Sequence, residues 1–183
     1  MIESRARAAT TGVLVTAAAG AVTAAVYLVA DNHTPDYTTS LFGQTGLDAV
    51  RLKSQLATGL LALALVQLAL ALWMYRWLPG LSRSGQTPRA VPRTHRVVGI
   101  AAFALSIPIT IHCVLTYGIE TTTTRTTVHS IAGCFFYGAF AAKMLVIRSR
   151  SLPKWALPLM GGLLVATVIV LWYTAALWFF NNE

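Results

Sequence analysis

Five stretches of the sequence are apolar enough, and long enough, to cross a lipid bilayer as α-helices. A hydrocarbon core about 30 Å thick needs roughly 20 apolar residues in helical form. Only 11% of the 183 residues are charged, whereas an ordinary soluble domain has about 25%. We therefore predict an all-α integral membrane bundle of five transmembrane helices, a single domain that lies in the cell membrane as a multi-pass protein. The five runs cover residues 8–30, 56–75, 97–117, 128–147 and 155–180.

The charged residues predict how the bundle is inserted. Arginine and lysine collect at the start of the chain, in an inner loop at 76–96, and between the last two runs at Arg148, Arg150 and Lys154. With five spans these segments share one side, which the positive-inside rule makes cytoplasmic. We expect the N-terminus inside, the C-terminus outside and an outer loop at 31–55. The net charge of +8 then reflects orientation, and no nucleic-acid partner is expected.

Two histidines, His112 and His129, lie on either side of a short polar connection between the third and fourth runs. Helices joined by so short a connection are expected to be antiparallel neighbours. A rise of about 1.5 Å per residue brings both imidazoles to a similar depth in the outer leaflet. We expect the second to fifth helices to form a four-helix core, with the first helix at its periphery.

The histidine pair predicts a site for one haem b in the outer leaflet, with His112 and His129 as axial ligands. A neutral imidazole in lipid needs a partner for each nitrogen, and iron on one side with a protein acceptor on the other meets that need. The outer cations Arg51, Lys53 and Arg125 can pair with haem propionates. A structural hydrogen-bonding role is the main alternative for the pair. Zinc would require three or four ligands.

Other residues of the fourth helix suit a flat ring. Gly133 and Gly138 would let a ring or a backbone approach closely. Four aromatic side chains could wall such a ring: Phe135, Phe136, Tyr137 and Phe140.

Lys143, His95 and Gln67 are weaker candidates in the inner half. Lys143 follows His129 by fourteen residues and so returns to nearly the same helix face. A second ordinary haem would need histidine there, so we expect none. Lys143 either snorkels to the inner surface or, with His95, binds a quinone or a lipid headgroup. Gln67 either bonds a neighbouring helix or donates to a haem edge or a quinone.

The remaining histidine and the two cysteines carry weaker expectations. His33 lies in the polar outer loop, where a solvated side chain is expected. Cys113 and Cys134 reach similar depths on adjacent helices. Unpaired thiols are favoured over a disulfide, because free cysteine packs as a small apolar residue.

Three segments carry a resemblance to known proteins: HRVVGIAAF at 95–103, IHCVLTYG at 111–118 and HSIAGCFFYGAFAAKMLVIRSRSLP at 129–153. They resemble a family of small actinobacterial integral membrane proteins, over about 41–180, with no established activity to carry over. Members of that family lie near small secreted Rieske iron–sulfur proteins in some genomes, which implies redox work at the outer face. More loosely, the histidine-bearing helices are similar to transmembrane cytochromes b that take electrons from ascorbate or quinol. Those proteins use four histidines on four helices, so the resemblance implies one haem here at most.

These expectations converge on a b-type cytochrome that passes electrons near the extracytoplasmic face. It would act as a subunit of a membrane complex rather than as a complete enzyme, and would pass electrons from quinol to a redox partner. The resemblance implies an extracytoplasmic Rieske-type protein as that partner. The alternative is a cofactor-free structural or assembly subunit of a larger membrane respiratory complex. A small transporter is a third reading, but the sequence shows no internal repeat of the kind transporters have.

Overall fold

The computed structural model describes residues 2–77 and 88–182, and these form long helices joined by short connections. Within these ranges, five helical spans are long and apolar enough to cross a membrane. The prediction of an all-α bundle with five transmembrane helices is therefore confirmed. The helices are α1 (Ile2–Asp31), α2 (Gly46–Met74), α3 (Ala90–Tyr117), α4 (Thr124–Arg148) and α5 (Ala156–Trp172), and α5 continues through a π-helical turn (Tyr173–Leu177) into α6 (Trp178–Asn182).

The helices extend well beyond the apolar runs that predicted them. The 29 residues of α2 span about 43 Å, more than the roughly 30 Å of a hydrocarbon core. Charged residues at the start of α2 are therefore helical, although their polarity placed them in the predicted outer loop. An acidic side chain there, Asp48, also suits a helix N-terminus.

Both predicted long loops are consequently too long. The outer loop shrinks from 31–55 to 32–45, and α3 already begins at Ala90 inside the predicted inner loop 76–96. Residues 78–87 of that loop lie outside the described residues. Below, the end of the bundle at the start of α1 is called the inner end. The end that carries residues 32–45 and 118–123 is called the outer end.

The core lies among α2, α3, α4 and α5, as predicted. Its buried centre combines Leu60 and Ala64 of α2 with Phe136 of α4 and Val168 of α5. Side chains of α3, among them Leu105, pack against this centre. Because α1 supplies none of these core residues, it is peripheral in the predicted sense.

Helix α1 nevertheless packs closely along α4. A Cβ atom added at Gly138 would lie 2.6 Å from the carbonyl oxygen of Ala19 and would also overlap the hydroxyl of Thr23. Only glycine permits this approach, which is the use that membrane helices commonly make of small residues. Near the inner end, Ser151 donates a hydrogen bond of 2.8 Å to the Thr11 hydroxyl. Gly138 thus serves helix packing rather than a ring.

Helices α3 and α4 contact each other through large side chains. The rings of Phe103 and Phe140 stack with centroids 4.1 Å apart. The Tyr137 hydroxyl, on the same face of α4, donates to Thr110 Oγ1 at 2.8 Å. Tyr137 also borders an apolar groove between α1 and α3. Three of the four aromatic side chains predicted to wall a ring, Phe136, Tyr137 and Phe140, therefore fill the middle of the bundle, whereas Phe135 is exposed on its surface.

The outer loop folds over the end of α3. Both the backbone N–H of Asp36 and the His33 ring bond to the carbonyl oxygen of Leu115, at 2.9 and 3.1 Å. The Thr38 hydroxyl bonds to the Asp36 carboxylate and holds the pKa of that carboxyl below its usual range. Gly118 ends α3 with a positive φ of 60°, and an added Cβ there would lie 2.9 Å from the Ala30 carbonyl oxygen. The loop thus closes the bundle above α3.

Helix α4 begins at a reciprocal cap on the outer end. The backbone N–H of Thr126 bonds to Thr123 Oγ1, and the backbone N–H of Thr123 bonds to Thr126 Oγ1, both at 3.2 Å. Such a pair satisfies two of the N–H groups that a helix start leaves unpaired. This cap fixes the first turn of α4, which carries Arg125 and leads directly to His129.

Candidate functional site

His129 is oriented by the fifth span. Its Nδ1 lies 3.0 Å from Thr174 Oγ1, and the Thr174 hydroxyl donates its own hydrogen to the Val170 carbonyl oxygen at 2.7 Å. Since that hydrogen is already committed, Thr174 Oγ1 accepts a hydrogen from His129 Nδ1. In the neutral imidazole, Nε2 then carries a free lone pair. Metal-binding histidines are commonly held in this way by an acceptor on the second nitrogen.

The π-helical turn positions Thr174 for this contact. Single π turns within α-helices are rare and are often found at functional sites. The carbonyl oxygen of Thr174 accepts a hydrogen bond from Arg125 Nη1 at 2.6 Å, so one residue contacts two side chains of α4. The Arg125 guanidinium also lies 3.9 Å from the ring centroid of Trp178.

His112 is almost fully buried, with 3% of its surface exposed. The hydroxyl of Thr116, one turn further along α3, lies 3.5 Å from both ring nitrogens. This distance is beyond the usual range of hydrogen bonds, and one hydroxyl cannot serve both nitrogens at once. The backbone of Thr39 in the outer loop is a further polar neighbour. His112 therefore has no short side-chain partner of the kind that holds His129.

Lys53 is a charged neighbour of both histidines. Its Nζ lies 4.4 Å from the ring centroid of Tyr117. Lys53 of α2, His112 of α3, and His129 with Arg125 of α4 all belong to the outer half of the bundle. We call these four residues the outer cluster. Thr174 supports it from the fifth span.

Arg51 is placed differently from the other two predicted cations. Its side chain is 46% exposed, and its guanidinium lies 3.6 Å from the Asp48 carboxylate, one turn earlier on α2. An exposed pair of this kind contributes little to stability. Lys53 and Arg125 contact the rings of Tyr117 and Trp178, respectively.

A second polar group lies in the inner half of the bundle. The side-chain amide of Gln67 donates to the backbone carbonyl of His95, so the predicted bond to a neighbouring helix is present. Gln67 Oε1 and His95 Nδ1 are buried, and neither has a partner in the described part of the chain. The ammonium group of Lys143 acts electrostatically on His95. We call Gln67, His95 and Lys143 the inner cluster.

Within residues 2–77 and 88–182, no group of three or more His, Cys, Asp and Glu side chains comes together. Zinc needs at least three protein ligands, so the zinc alternative has no support in the described residues. Cys113 and Cys134 both carry free thiols, as the sequence favoured.

Thr174 is the residue that sequence reasoning missed. It lies 45 residues after His129, within the most apolar of the runs. The sequence of the π turn, YTAAL, does not predict that geometry. The one available signal for Thr174 is polarity, because a hydroxyl in a transmembrane segment usually bonds to a neighbouring group. Thr116 carries the same signal on α3.

The comparisons with known proteins give one result for the family. Residues 11–183 match the model of a family described as a family of unknown function, DUF6529. No curated protein and no solved structure matches the chain.

Proposed function

We propose that the chain, which belongs to the DUF6529 family, is a membrane-bound b-type cytochrome with one haem at the outer cluster. His112 and His129 are the proposed axial ligands. The observation that carries the proposal is the contact between His129 and Thr174, which leaves Nε2 of a half-buried imidazole as a lone-pair donor.

The chemistry of the outer cluster fits a haem. Two neutral imidazoles on different helices are the donor set of a six-coordinate haem iron, and helix bundles commonly build such sites between facing helices. One of the two, His112, is buried without a short side-chain partner. Held by these two histidines, a haem would supply one-electron transfer rather than oxygen binding.

The cations of the outer cluster suit the propionates of a haem. Lys53 acts on both histidines, and a carboxylate beside it would form a charge-assisted contact. Arg125 already donates to Thr174 and lies over Trp178, so it holds the fifth span in place as well. Lys53 is therefore the better propionate partner of the two.

The surrounding residues would control access to the site. The outer loop covers the end of α3 through bonds to Leu115, and the packed core closes the bundle below the outer cluster. We propose that electrons enter from a membrane quinol and leave to a redox partner at the outer end. That direction agrees with the resemblance to transmembrane cytochromes b and with the location of members of the resembled family near Rieske proteins in some genomes.

An optical spectrum of the purified protein tests the proposal. We expect a sharp α-band of the b type after reduction, and His129→Ala should abolish it. His33→Ala is the matched control, since that histidine bonds to Leu115 in the outer loop and should leave the band unchanged. A colourless wild-type protein would favour the cofactor-free subunit of a larger complex.

A further inference from the structure

The inner cluster leaves two buried polar atoms without partners. Gln67 donates through its amide nitrogen to the His95 carbonyl, but its Oε1 accepts nothing from the described residues. His95 Nδ1 is likewise unpaired in that part of the chain. Buried polar groups are normally hydrogen-bonded, and leaving one unpaired destabilises the fold. Two such atoms on adjacent helices indicate that something else bonds to them.

Packing holds the Gln67 side chain in this position. A Cβ atom added at Gly99 would lie 3.1 Å from Gln67 Nε2, so the amide lies directly against the backbone of α3. Gln67 Oε1 lies 3.8 Å from the same Cβ position, so both polar atoms of the amide lie beside α3. The bond from Nε2 to the His95 carbonyl fixes the direction of the amide, and Oε1 remains an unpaired acceptor in the described part of the chain.

The cluster lies at a depth that a membrane-dissolved molecule can reach. Gln67 is seven residues from the inner end of α2, or about 10 Å along the helix axis. His95 and Lys143 are each five residues from the inner ends of α3 and α4. The site therefore lies one to two turns below the inner ends of three helices. At this depth a ligand would come from the bilayer rather than from the aqueous phase.

The polar atoms define the chemistry of the ligand. Gln67 Oε1 requires a donor, whereas the ammonium of Lys143 requires an acceptor, and His95 Nδ1 can play either role. A phosphodiester only accepts hydrogen bonds and would leave Gln67 unpaired. A hydroxyl does both. An aromatic surface is at hand as well, since Phe140 of the Phe103–Phe140 stack lies one turn from Lys143 on α4.

We infer that the inner cluster is a binding site for the hydroxyl-bearing ring of a membrane quinol. Gln67 accepts from the quinol hydroxyl, and Lys143 and His95 bond to its oxygen. This deepens the proposed function, because quinol is the electron donor proposed there. Binding itself requires no haem.

The test is a binding titration of the full-length protein in detergent with menadiol, a naphthoquinol that lacks a tail. We expect saturable binding to the wild type. Gln67→Leu and Lys143→Met should each weaken it roughly two- to tenfold, the loss expected for one hydrogen bond. Gln55→Leu is the matched control, because Gln55 is an exposed glutamine on the same helix and should bind as the wild type does.

A further variant separates a loss of binding contacts from misfolding. Gly99→Ala retains every polar group but presses on the Gln67 amide, and it should weaken menadiol binding while the thermal midpoint shows that the protein is folded. Absence of saturable binding to the wild type overturns the inference and leaves water as the partner of these atoms. Equal affinity in the wild type, Gln67→Leu and Lys143→Met overturns it as well.

The optical spectrum tests the haem site independently of the menadiol titration, which tests the quinol site. A colourless protein that binds menadiol contradicts the haem at the outer cluster but supports the quinol site. A protein with a b-type spectrum that does not bind menadiol supports the haem at the outer cluster but contradicts the quinol site.

Discussion

The Nδ1 atom of His129 lies 3.0 Å from the hydroxyl oxygen of Thr174, and this contact joins α4 to the π-helical turn of the fifth span. The hydroxyl's own hydrogen is given to Val170, so Thr174 acts as the acceptor. The π turn therefore carries the acceptor that orients the imidazole of His129.

Thr174→Val should weaken haem binding without removing either proposed ligand. Valine has nearly the same shape but offers no acceptor to His129. Loss of such an orienting partner typically costs 10–100-fold in metal affinity, and roughly tenfold is expected here. The measurement is a titration of haem into protein produced without it. Thr167→Val is the matched control, because Thr167 lies on the same span and bonds only to the Leu163 carbonyl; equal losses in both variants would contradict an orienting role.

Lys53→Met should lower the reduction potential of the bound haem. A nearby cation disfavours the more positive oxidised iron, so its removal stabilises that state. At about 10 Å and an effective dielectric constant near 20, the interaction is about 1.7 kcal/mol, or roughly 70 mV for one electron. A spectroscopic redox titration measures the shift. Lys154→Met, an exposed charge at the inner end, should leave the potential within the error of the wild type.

Gly138→Ala should destabilise the bundle by separating α1 from α4. The new methyl group would overlap Thr23 and the Ala19 carbonyl, and overpacking of this kind costs about 1–3 kcal/mol. Thermal unfolding followed by circular dichroism should show a lower midpoint. Gly162→Ala, on α5 with no atom within 4 Å of the added Cβ, should not lower it. Equal midpoints in the two variants would show that the close approach of α1 is not required.

Reporter fusions test the predicted insertion. Alkaline phosphatase fused after residue 182 should be active, because that enzyme folds outside the cytoplasm, whereas a fusion after Arg150 should be inactive. The physical reason is the concentration of arginine and lysine at the inner end. Activity in the opposite pattern would place the outer cluster on the cytoplasmic side.

The sequence predicted the fold well because hydropathy and helix geometry are local properties. Five apolar runs became five spans, and the core formed among the second to fifth of them. Helix ends were predicted less well. The start of α2 at Gly46 is polar, and composition cannot separate a helix that leaves the bilayer from a loop.

The residues of the candidate site could be predicted from the sequence, but the contacts between them could not. Position along the helices placed His112 and His129 at a similar depth, since each residue adds about 1.5 Å, whereas Lys53 was predicted to lie in the outer loop. Which side chain faces which depends on helix rotation and spacing. Gly138 illustrates this limit, because the sequence left open whether a ring or a backbone would approach it, and the structure shows the backbone of α1 there. The partner of His129 depends on a π turn, for which the sequence has no clear signal.

The pyridine haemochrome assay of purified protein, combined with a protein determination, tests the central claim most directly. Bis-imidazole ligation by His112 and His129 requires one haem b per chain. A ratio close to one in the wild type, falling towards zero in both His112→Ala and His129→Ala, is the predicted result. A wild-type ratio near zero, or a ratio near two, would contradict the account.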